Sequence, residues 1–348
     1  MIKKLLVATA FAGAALLLGS CQKGALESDN PAFAAIDGDY LKTGGDGSNW
    51  AMTGFSYYEQ RHSPLTQIND GNVKDLGIAW FADLPDARGQ EATPVVVDGK
   101  MFVSTAWSKV FSYDAKTGKP LWSFDPKVDK ARGVKACCDV VNRGVAFWNG
   151  SVFVGTIDGR LISLDASTGK QNWSVQTLDL KSNGTITGVP RVVKDKVVIG
   201  FGGAEFGARG YVTAYDAATG KQAWRFYTTP NPAGKPDNAA SDDILKTAAT
   251  STWSRKPKKG DWRESGGGGT VWDAIVYDAE LDQLYLGVGN GNPWNHGIRS
   301  NGEGDNLFLS SIVALKPDTG KYVWHYQETP AESWDYTATQ PIILATEK

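Results

Sequence analysis

Cysteine, histidine and methionine are scarce, with three of each in 348 residues. The histidines, His62, His296 and His325, are scattered, so no Cys/His cluster has the spacing of a zinc site. No Cys-x-x-Cys-His occurs, which leaves the chain without an attachment site for a c-type haem. An excess of one charge is missing as well. The net charge is −2, and the densest basic stretch, Arg255 to Lys259, sits among Pro, Gly and Ser as a solvated loop. Nucleic acid is therefore not an expected partner. Long apolar runs are also lacking. The uncharged run Leu5 to Leu18 holds 14 residues, short of the ~20 that span a bilayer.

That run follows Lys3 and Lys4 and reads as a cleaved export signal. Leu18-Gly19-Ser20-Cys21 then looks like a lipoprotein cleavage site. Residues 1–20 are expected to be a signal peptide and Cys21 a lipidated new N-terminus. The expected place is the periplasmic side of a bacterial membrane, held there through the N-terminal lipid. Residues 21–49 read as a linker and 50–348 as the folded domain. Export places the chain in an oxidising compartment, where disulfides persist.

The other two cysteines are neighbours, Cys137 and Cys138. A bond between them would staple no loop, because adjacent Cα atoms lie about 3.8 Å apart, below the usual disulfide range. Two readings stay open on this pair alone: a flat, sulfur-faced surface, or two adjacent buried thiols.

What the chain has in quantity is glycine, 40 residues, and tryptophan, 13 residues. One phrase recurs: Tyr113-Asp-Ala-Lys-Thr-Gly-Lys-Pro-Leu-Trp122, Leu164-Asp-Ala-Ser-Thr-Gly-Lys-Gln-Asn-Trp173, Tyr215-Asp-Ala-Ala-Thr-Gly-Lys-Gln-Ala-Trp224 and Leu315-Lys-Pro-Asp-Thr-Gly-Lys-Tyr-Val-Trp324. The tryptophans are spaced by 51, 51 and 100 residues. The last interval reads as two periods, with a degenerate copy near Tyr277-Asp278, and Trp80 marks an earlier unit. Hairpins with turns at Asp98-Gly99, Asn149-Gly150 and Lys194-Asp195 lie between the phrases. Four strands per period of about 50 residues predict an all-β propeller. About six blades are marked. Gly184 to Gly188, Thr229 to Gly268 and Asn290 to Asn306 fall outside the blade pattern, as loops that build the mouth of a site do.

With these repeats, the opening Tyr58-Glu-Gln-Arg-His-Ser-Pro-Leu-Thr-Gln-Ile-Asn69 and the cysteine pair, the chain from about Trp50 onward resembles the PQQ-dependent quinoprotein alcohol dehydrogenases, close to the ethanol and quinohaemoprotein group. The resemblance implies an eight-bladed propeller with PQQ in its central funnel. It implies that Cys137 and Cys138 form a vicinal disulfide on one face of PQQ. Trp272, in Gly266-Gly-Gly-Gly-Thr-Val-Trp272, would stack on the other. Arg143 matches an arginine near the quinone oxygens. Glu91, Thr187 and Thr270 match polar cofactor contacts, and Gly203 and Ala204 a backbone contact. Glu205 and Asn290 match ligands of a hard cation, together with Asp335. Asp335, in Ser333-Trp-Asp-Tyr-Thr337, matches the base that takes the alcohol proton while hydride passes to PQQ. Lanthanide-dependent relatives carry an Asp two residues on. Thr337 stands there, so the resemblance implies calcium.

The expected activity is oxidation of an alcohol to an aldehyde. Without haem in the chain, electrons would pass to a separate acceptor, a periplasmic cytochrome c or a quinone. Six marks against eight blades read as a C-terminally truncated propeller. Two alternatives stand beside the enzyme: a cofactor-free scaffold lipoprotein of outer-membrane assembly, and an inactive PQQ-binding remnant. The Cys-Cys pair, the glycine run before Trp272 and Trp334-Asp335-Tyr336 favour the enzyme.

Overall fold

The structure is a computed structural model and describes residues 33 and 35–347. The signal segment 1–20 and Cys21 lie outside the described residues. Four four-stranded antiparallel sheets make up the body. The first holds β1 (Val95–Val97), β2 (Lys100–Ser104), β3 (Val110–Asp114) and β4 (Pro120–Phe124). The second holds β5 (Ala146–Trp148), β6 (Ser151–Gly155), β7 (Arg160–Asp165) and β8 (Gln171–Gln176). The third holds β9 (Arg191–Val193), β10 (Lys196–Ile199), β11 (Tyr211–Asp216) and β12 (Gln222–Tyr227). A short pair follows, β13 (Gly267–Gly268) with β16 (Gly291–Asn292). The fourth sheet holds β14 (Ile275–Asp278), β15 (Gln283–Gly287), β17 (Ser311–Leu315) and β18 (Tyr322–Gln327). Helices are short: α1 (Gly38–Thr43), α2 (Asp242–Ile244), α3 (Trp262–Ser265) and α4 (His296–Arg299).

The sequence explains the strands. The middle strands carry unbroken apolar runs, as in Val152-Phe-Val154 and Leu161-Ile162 of the second sheet, because both faces of that sheet meet a neighbouring blade. The outer strands β4 and β8 alternate between half-buried and exposed residues. The first two blades turn at Asp98-Gly99 and Asn149-Gly150. All four residues have positive φ, as the tight hairpin turn that matches strand twist requires.

One interaction repeats between blades. The indole Nε1 of Trp122 donates to the Ala166 carbonyl at 2.9 Å, and its ring lies against Gly169 of the next blade. Trp173 does the same to Ala217 at 3.1 Å and Gly220, and Trp224 to Pro317 at 2.7 Å and Gly320. Each of these glycines has φ between 68° and 70°. A Cβ there would also sit within about 2.9 Å of the indole. In the first three phrases the Asp carboxylate, Asp114, Asp165 or Asp216, accepts from the Thr amide and hydroxyl and shapes the turn.

The blade count departs from the expected six or so: four complete blades stand among the described residues. Tyr277-Asp278 is not a docking copy. It ends β14, and Asp278 caps the turn to β15 by accepting from the Glu280 and Leu281 amides. The 100-residue gap before Trp324 instead contains the long insertion ahead of β14. Trp80 docks as expected, on Gly118 and the Ala115 carbonyl at 3.0 Å. The residues around it form no strand, and Ile78 and Phe81 are 88% and 82% exposed.

The linker boundary also shifts. Ile36 and Leu41 are buried in the main core with Val95, Phe147 and Val193. Trp50 and Val96 exchange two backbone hydrogen bonds of 2.8 Å. The stretch from Ile36 to Asn49 is therefore part of the propeller body. Apolar residues at 36 and 41, with Asp37 capping α1, bury that side of the helix.

Trp224 is 6% exposed and Trp324, in the same motif position, is 39% exposed with only Gln283 on its Nε1. Trp224→Ala should destabilise by about 3–5 kcal/mol, as for a buried tryptophan. Trp324→Ala should cost less than about 1 kcal/mol. Denaturant midpoints of the two variants test this, and equal shifts would contradict the docking account.

Candidate active site

The residues just ahead of the innermost strands β1, β5 and β9 are tied together. Thr93 N donates to Arg143 O at 3.1 Å, and Arg143 N to Thr187 O at 2.9 Å. This stitching aims the Arg143 side chain at a cavity of about 580 Å³. Its wall includes Cys137, Cys138, Arg143, Thr187, Gly203, Glu205, Thr270, Trp272, Asn290 and Asp335, all expected from the sequence. Glu91 and Ala204 are not on the wall. Glu91 acts behind it, with Oε2 3.2 Å from Arg143 Nη2, and Ala204 is buried in a short 3₁₀ turn. Glu205 sits on that same turn rather than at a strand end, between Gly203 and Gly207, both at positive φ.

Arg143 is shared by several partners. Nη1 donates to Thr187 Oγ1 at 2.6 Å, and the guanidinium lies 5.2 Å from the Trp272 ring centroid. The glycine run before Trp272 does what its composition predicts. Gly269 N donates to Asn290 O at 2.8 Å, and a Cβ on Gly268 would lie 2.5 Å from that carbonyl oxygen. The two backbones approach closely and bring Thr270, Trp272 and Asn290 to one wall. Thr270 Oγ1 is fully buried and has no hydrogen-bond partner. A buried hydroxyl beside a cavity in this state is one that a bound ligand atom or a water would satisfy.

The acidic side of the cavity holds Glu205, Asn290 and Asp335. Asn290 Nδ2 donates to Glu205 Oε1 at 2.8 Å. Desolvation first, then the charges of Glu205 and Glu332, raises the Asp335 carboxyl above the ordinary aspartate range. Among the described residues no group of three His, Cys, Asp or Glu side chains could hold a metal. The candidate set is two carboxylates and an amide, all able to present oxygen, which suits a hard cation whose further ligands come from a bound molecule or water.

The cysteine pair is unbonded in this structure. Cys137 and Cys138 are free thiols on exposed residues at the cavity rim. The two residues are joined by one peptide bond, so a bond between their sulfurs would close only a small local ring and tie no distant segments together. Their loop is held from both ends. Arg132 donates to the carbonyls of Leu180, Ser182 and Gly184, and Asp139 is paired with Arg88. Arg88 is the main reason that Asp139 drops to about 2. The Cys137 thiol is pushed up to about 12, first by desolvation, then by Cys138 and the Glu205 charge, with Arg143 opposing.

Sequence reasoning missed Asp139, Thr185, Phe206 and Trp294 on the wall, and the buried pair Glu332 and Arg299 behind it. Trp294 ends the run Gly287-Val-Gly-Asn-Gly-Asn-Pro-Trp294, and its place four residues after Asn290 was the available signal.

Four-stranded blades around a cavity lined by sulfur, indole, guanidinium and carboxylate groups define a β-propeller with one mixed aromatic and polar site. A family described as "PQQ: Glucose/ethanol/alcohol dehydrogenase, beta-propeller domain" matches residues 50–348, and the chain belongs to that family. It is 58% identical over 306 residues to the alcohol dehydrogenase (quinone) dehydrogenase subunit of Gluconobacter oxydans, covering 86% of this chain and 40% of that protein. It is 53% identical over 326 residues to the quinohemoprotein alcohol dehydrogenase of Comamonas testosteroni, covering 93% and 45%. A crystal structure of the quinohemoprotein alcohol dehydrogenase from that organism aligns with a TM-score of 0.85 at 55% identity, over 89% of this chain and 46% of the other. The chain thus spans less than half the length of these relatives.

With a pKa near 12 against about 9, Cys137 has far less thiolate at pH 8, partly offset by the greater nucleophilicity of a basic thiolate. Iodoacetamide should label reduced Cys137 some tens of times more slowly than free cysteine, as read by peptide mass spectrometry. Labelling at the free-cysteine rate would refute the desolvated thiol. Labelling that appears only after reductant is added would reveal the vicinal disulfide.

Proposed function

We propose that this chain forms the cofactor-binding part of a PQQ- and calcium-dependent alcohol dehydrogenase facing the periplasm. The observation that carries the proposal is one cavity lined by Cys137, Cys138 and Trp272, with Glu205, Asn290 and Asp335 on the same wall. Its volume, about 580 Å³, falls within the range of small-molecule sites. PQQ fits this wall: a flat tricycle for Trp272 and the sulfurs, carboxylates for Arg143, and an acceptor for the buried Thr270 hydroxyl. When bound, PQQ supplies the hydride acceptor and the cation supplies a Lewis acid.

The chain's own residues hold and orient. Trp272 and the cysteine pair would hold the cofactor between them, and Arg143, braced by Thr187 and Glu91, would bind its rim. Glu205, Asn290 and Asp335 would hold the cation. Asp335 would also take the hydroxyl proton, as the carboxylate beside the proposed cation on the cavity wall. Thr337, rather than a further carboxylate, lines the cavity near Asp335 and supports calcium over a lanthanide. Electrons would leave to a quinone or cytochrome c, and a lipid on Cys21 would hold the chain at the membrane. The scaffold reading is not favoured, because it gives no reason to bring these side chains around one cavity.

Titrating the chain with PQQ and Ca²⁺, with dye-linked ethanol oxidation in parallel, tests the proposal. Trp272→Ala should weaken PQQ about tenfold, the scale of one stacking contact. Asp335→Asn should abolish turnover while changing PQQ affinity less than about threefold. PQQ binding without turnover in the parent would leave the remnant reading. Turnover with La³⁺ alone would overturn calcium.

Thr270→Val provides a sign test. Removing an unpaired buried hydroxyl should leave thermal stability unchanged or raise it, yet weaken PQQ binding. A destabilised variant with full PQQ affinity would show that Thr270 serves the fold and not the cofactor.

A further inference from the structure

Asp335 lies in an irregular loop with φ of 64°, a conformation that L residues other than Asn, Asp and Gly rarely hold. Ser333 and Ser310 hold the loop at its edges, by bonds to His296 N and Tyr336 O, and one buried side chain holds its centre. Glu332 Oε1 accepts from the amides on both sides of Asp335, those of Trp334 and of Tyr336 at 3.0 Å. Glu332 Oε2 accepts from Gly291 N at 3.3 Å, the amide directly after Asn290. A single fully buried carboxylate therefore ties the Asp335 loop to the Asn290 strand.

Arg299 braces the same junction from below. It is fully buried on α4. Nη2 donates to the Glu332 carbonyl at 2.5 Å, Nη1 to the carbonyls of Pro293 at 2.7 Å and Trp294 at 2.8 Å, and Nε to Asn306 Oδ1 at 2.9 Å. It packs so tightly under Gly291 that a Cβ there would lie 2.5 Å from Nη1. Three carbonyls from two loops converge on one guanidinium fork, a geometry lysine cannot reproduce.

We propose that Glu332 and Arg299 are positioning residues that set the Asp335 carboxylate against Glu205 and Asn290. The proposal rests on the site reading above, but concerns this chain's own residues and has a test independent of turnover. The fit between the two loops comes from hydrogen bonds to backbone, so neither residue needs to touch a substrate.

The test uses amide hydrogen exchange at residues 334 to 336 and Tb³⁺ luminescence sensitised by Trp272 and Trp294, in the full chain. Glu332→Ala should speed exchange of the Trp334 and Tyr336 amides at least a hundredfold, and weaken Tb³⁺ about tenfold, as Asp335→Asn should. Glu332→Gln removes the same charge but keeps an oxygen at the Oε1 position. It loses the acceptor for Gly291 N, but should keep exchange of the Trp334 and Tyr336 amides slower than in Glu332→Ala and a Tb³⁺ affinity between those of Glu332→Ala and the parent. Arg299→Lys should speed exchange in the same segment. If Glu332→Ala fails to fold, Glu332→Gln and Arg299→Lys carry the comparison.

Equal loss of Tb³⁺ affinity in Glu332→Gln and Glu332→Ala would mean that only charge matters and overturn the proposal. So would unchanged exchange at Trp334 and Tyr336 in Glu332→Ala or Arg299→Lys. A parent chain that binds no Tb³⁺ would count against the metal reading, while exchange alone would still decide the role of Glu332 and Arg299.

Discussion

Docking of a tryptophan on the following blade is the interaction from which the rest of this structure follows. Strand pairing holds each blade together, but nothing in a four-stranded sheet fixes the angle to the next one. The indole does so by two contacts at once, a hydrogen bond of 2.7–3.1 Å to a turn carbonyl and a flat ring against a glycine. The glycine serves twice. Its φ near 70° is cheap only without a Cβ, and the missing Cβ is also the space the ring occupies. Because the same geometry recurs from blade to blade, the chain ahead of each innermost strand arrives at one end of the axis. Thr93, Arg143 and Thr187 then meet through backbone hydrogen bonds.

The cavity is a consequence of that convergence, finished by insertions. The long excursion after β12 is itself packed by Trp253 and Trp262, and returns as the glycine run that lies against Asn290. Its role is to deliver Thr270 and Trp272 to a wall that the blades alone would leave open. Arg209 secures the start of this excursion, bonding the Thr229 carbonyl and the Asp237 carboxylate. Loops of this length hold a fixed shape here because charged groups at their bases are paired and buried.

Much of this was legible in the sequence, for a physical reason. A docking turn needs Asp, Thr and Gly at fixed offsets and a Trp on the next strand, so the motif states its own geometry. Tyr277-Asp278 misled because an aromatic followed by Asp also ends an ordinary hairpin strand, and only the absent Thr-Gly and Trp separate the two. The site residues carried by glycine runs or by the cysteine pair could be read in the same way. Glu332 and Arg299 could not. In sequence they look like surface charges, and their partners are almost all backbone atoms, which have no residue identity to match. Ile36 and Leu41 were lost to the linker because two apolar residues in a short polar segment show too little period to mark a buried helix.

The electrostatics of the acidic wall link the strut to what the site can hold. Glu205, Glu332 and Asp335 are mutually repulsive, and the repulsion is felt at Asp335, whose carboxyl is raised by the other two after desolvation. Arg299 lies nearby, and burial lowers its own pKa to about 10, so it remains a cation at neutral pH that the Glu332 charge helps to keep protonated. Arg143 is already engaged by Glu91 and Thr187 on the opposite side. The remaining negative charge between Glu205 and Asp335 has only the amide of Asn290 beside it, donating to Glu205. A hard cation placed there would reverse the local preference and favour both carboxylates ionised. Asn290 would then turn its amide by half a rotation, so that oxygen rather than nitrogen faces Glu205, with no movement of backbone. The Gly291 amide, fixed on Glu332, holds that backbone still while the side chain turns.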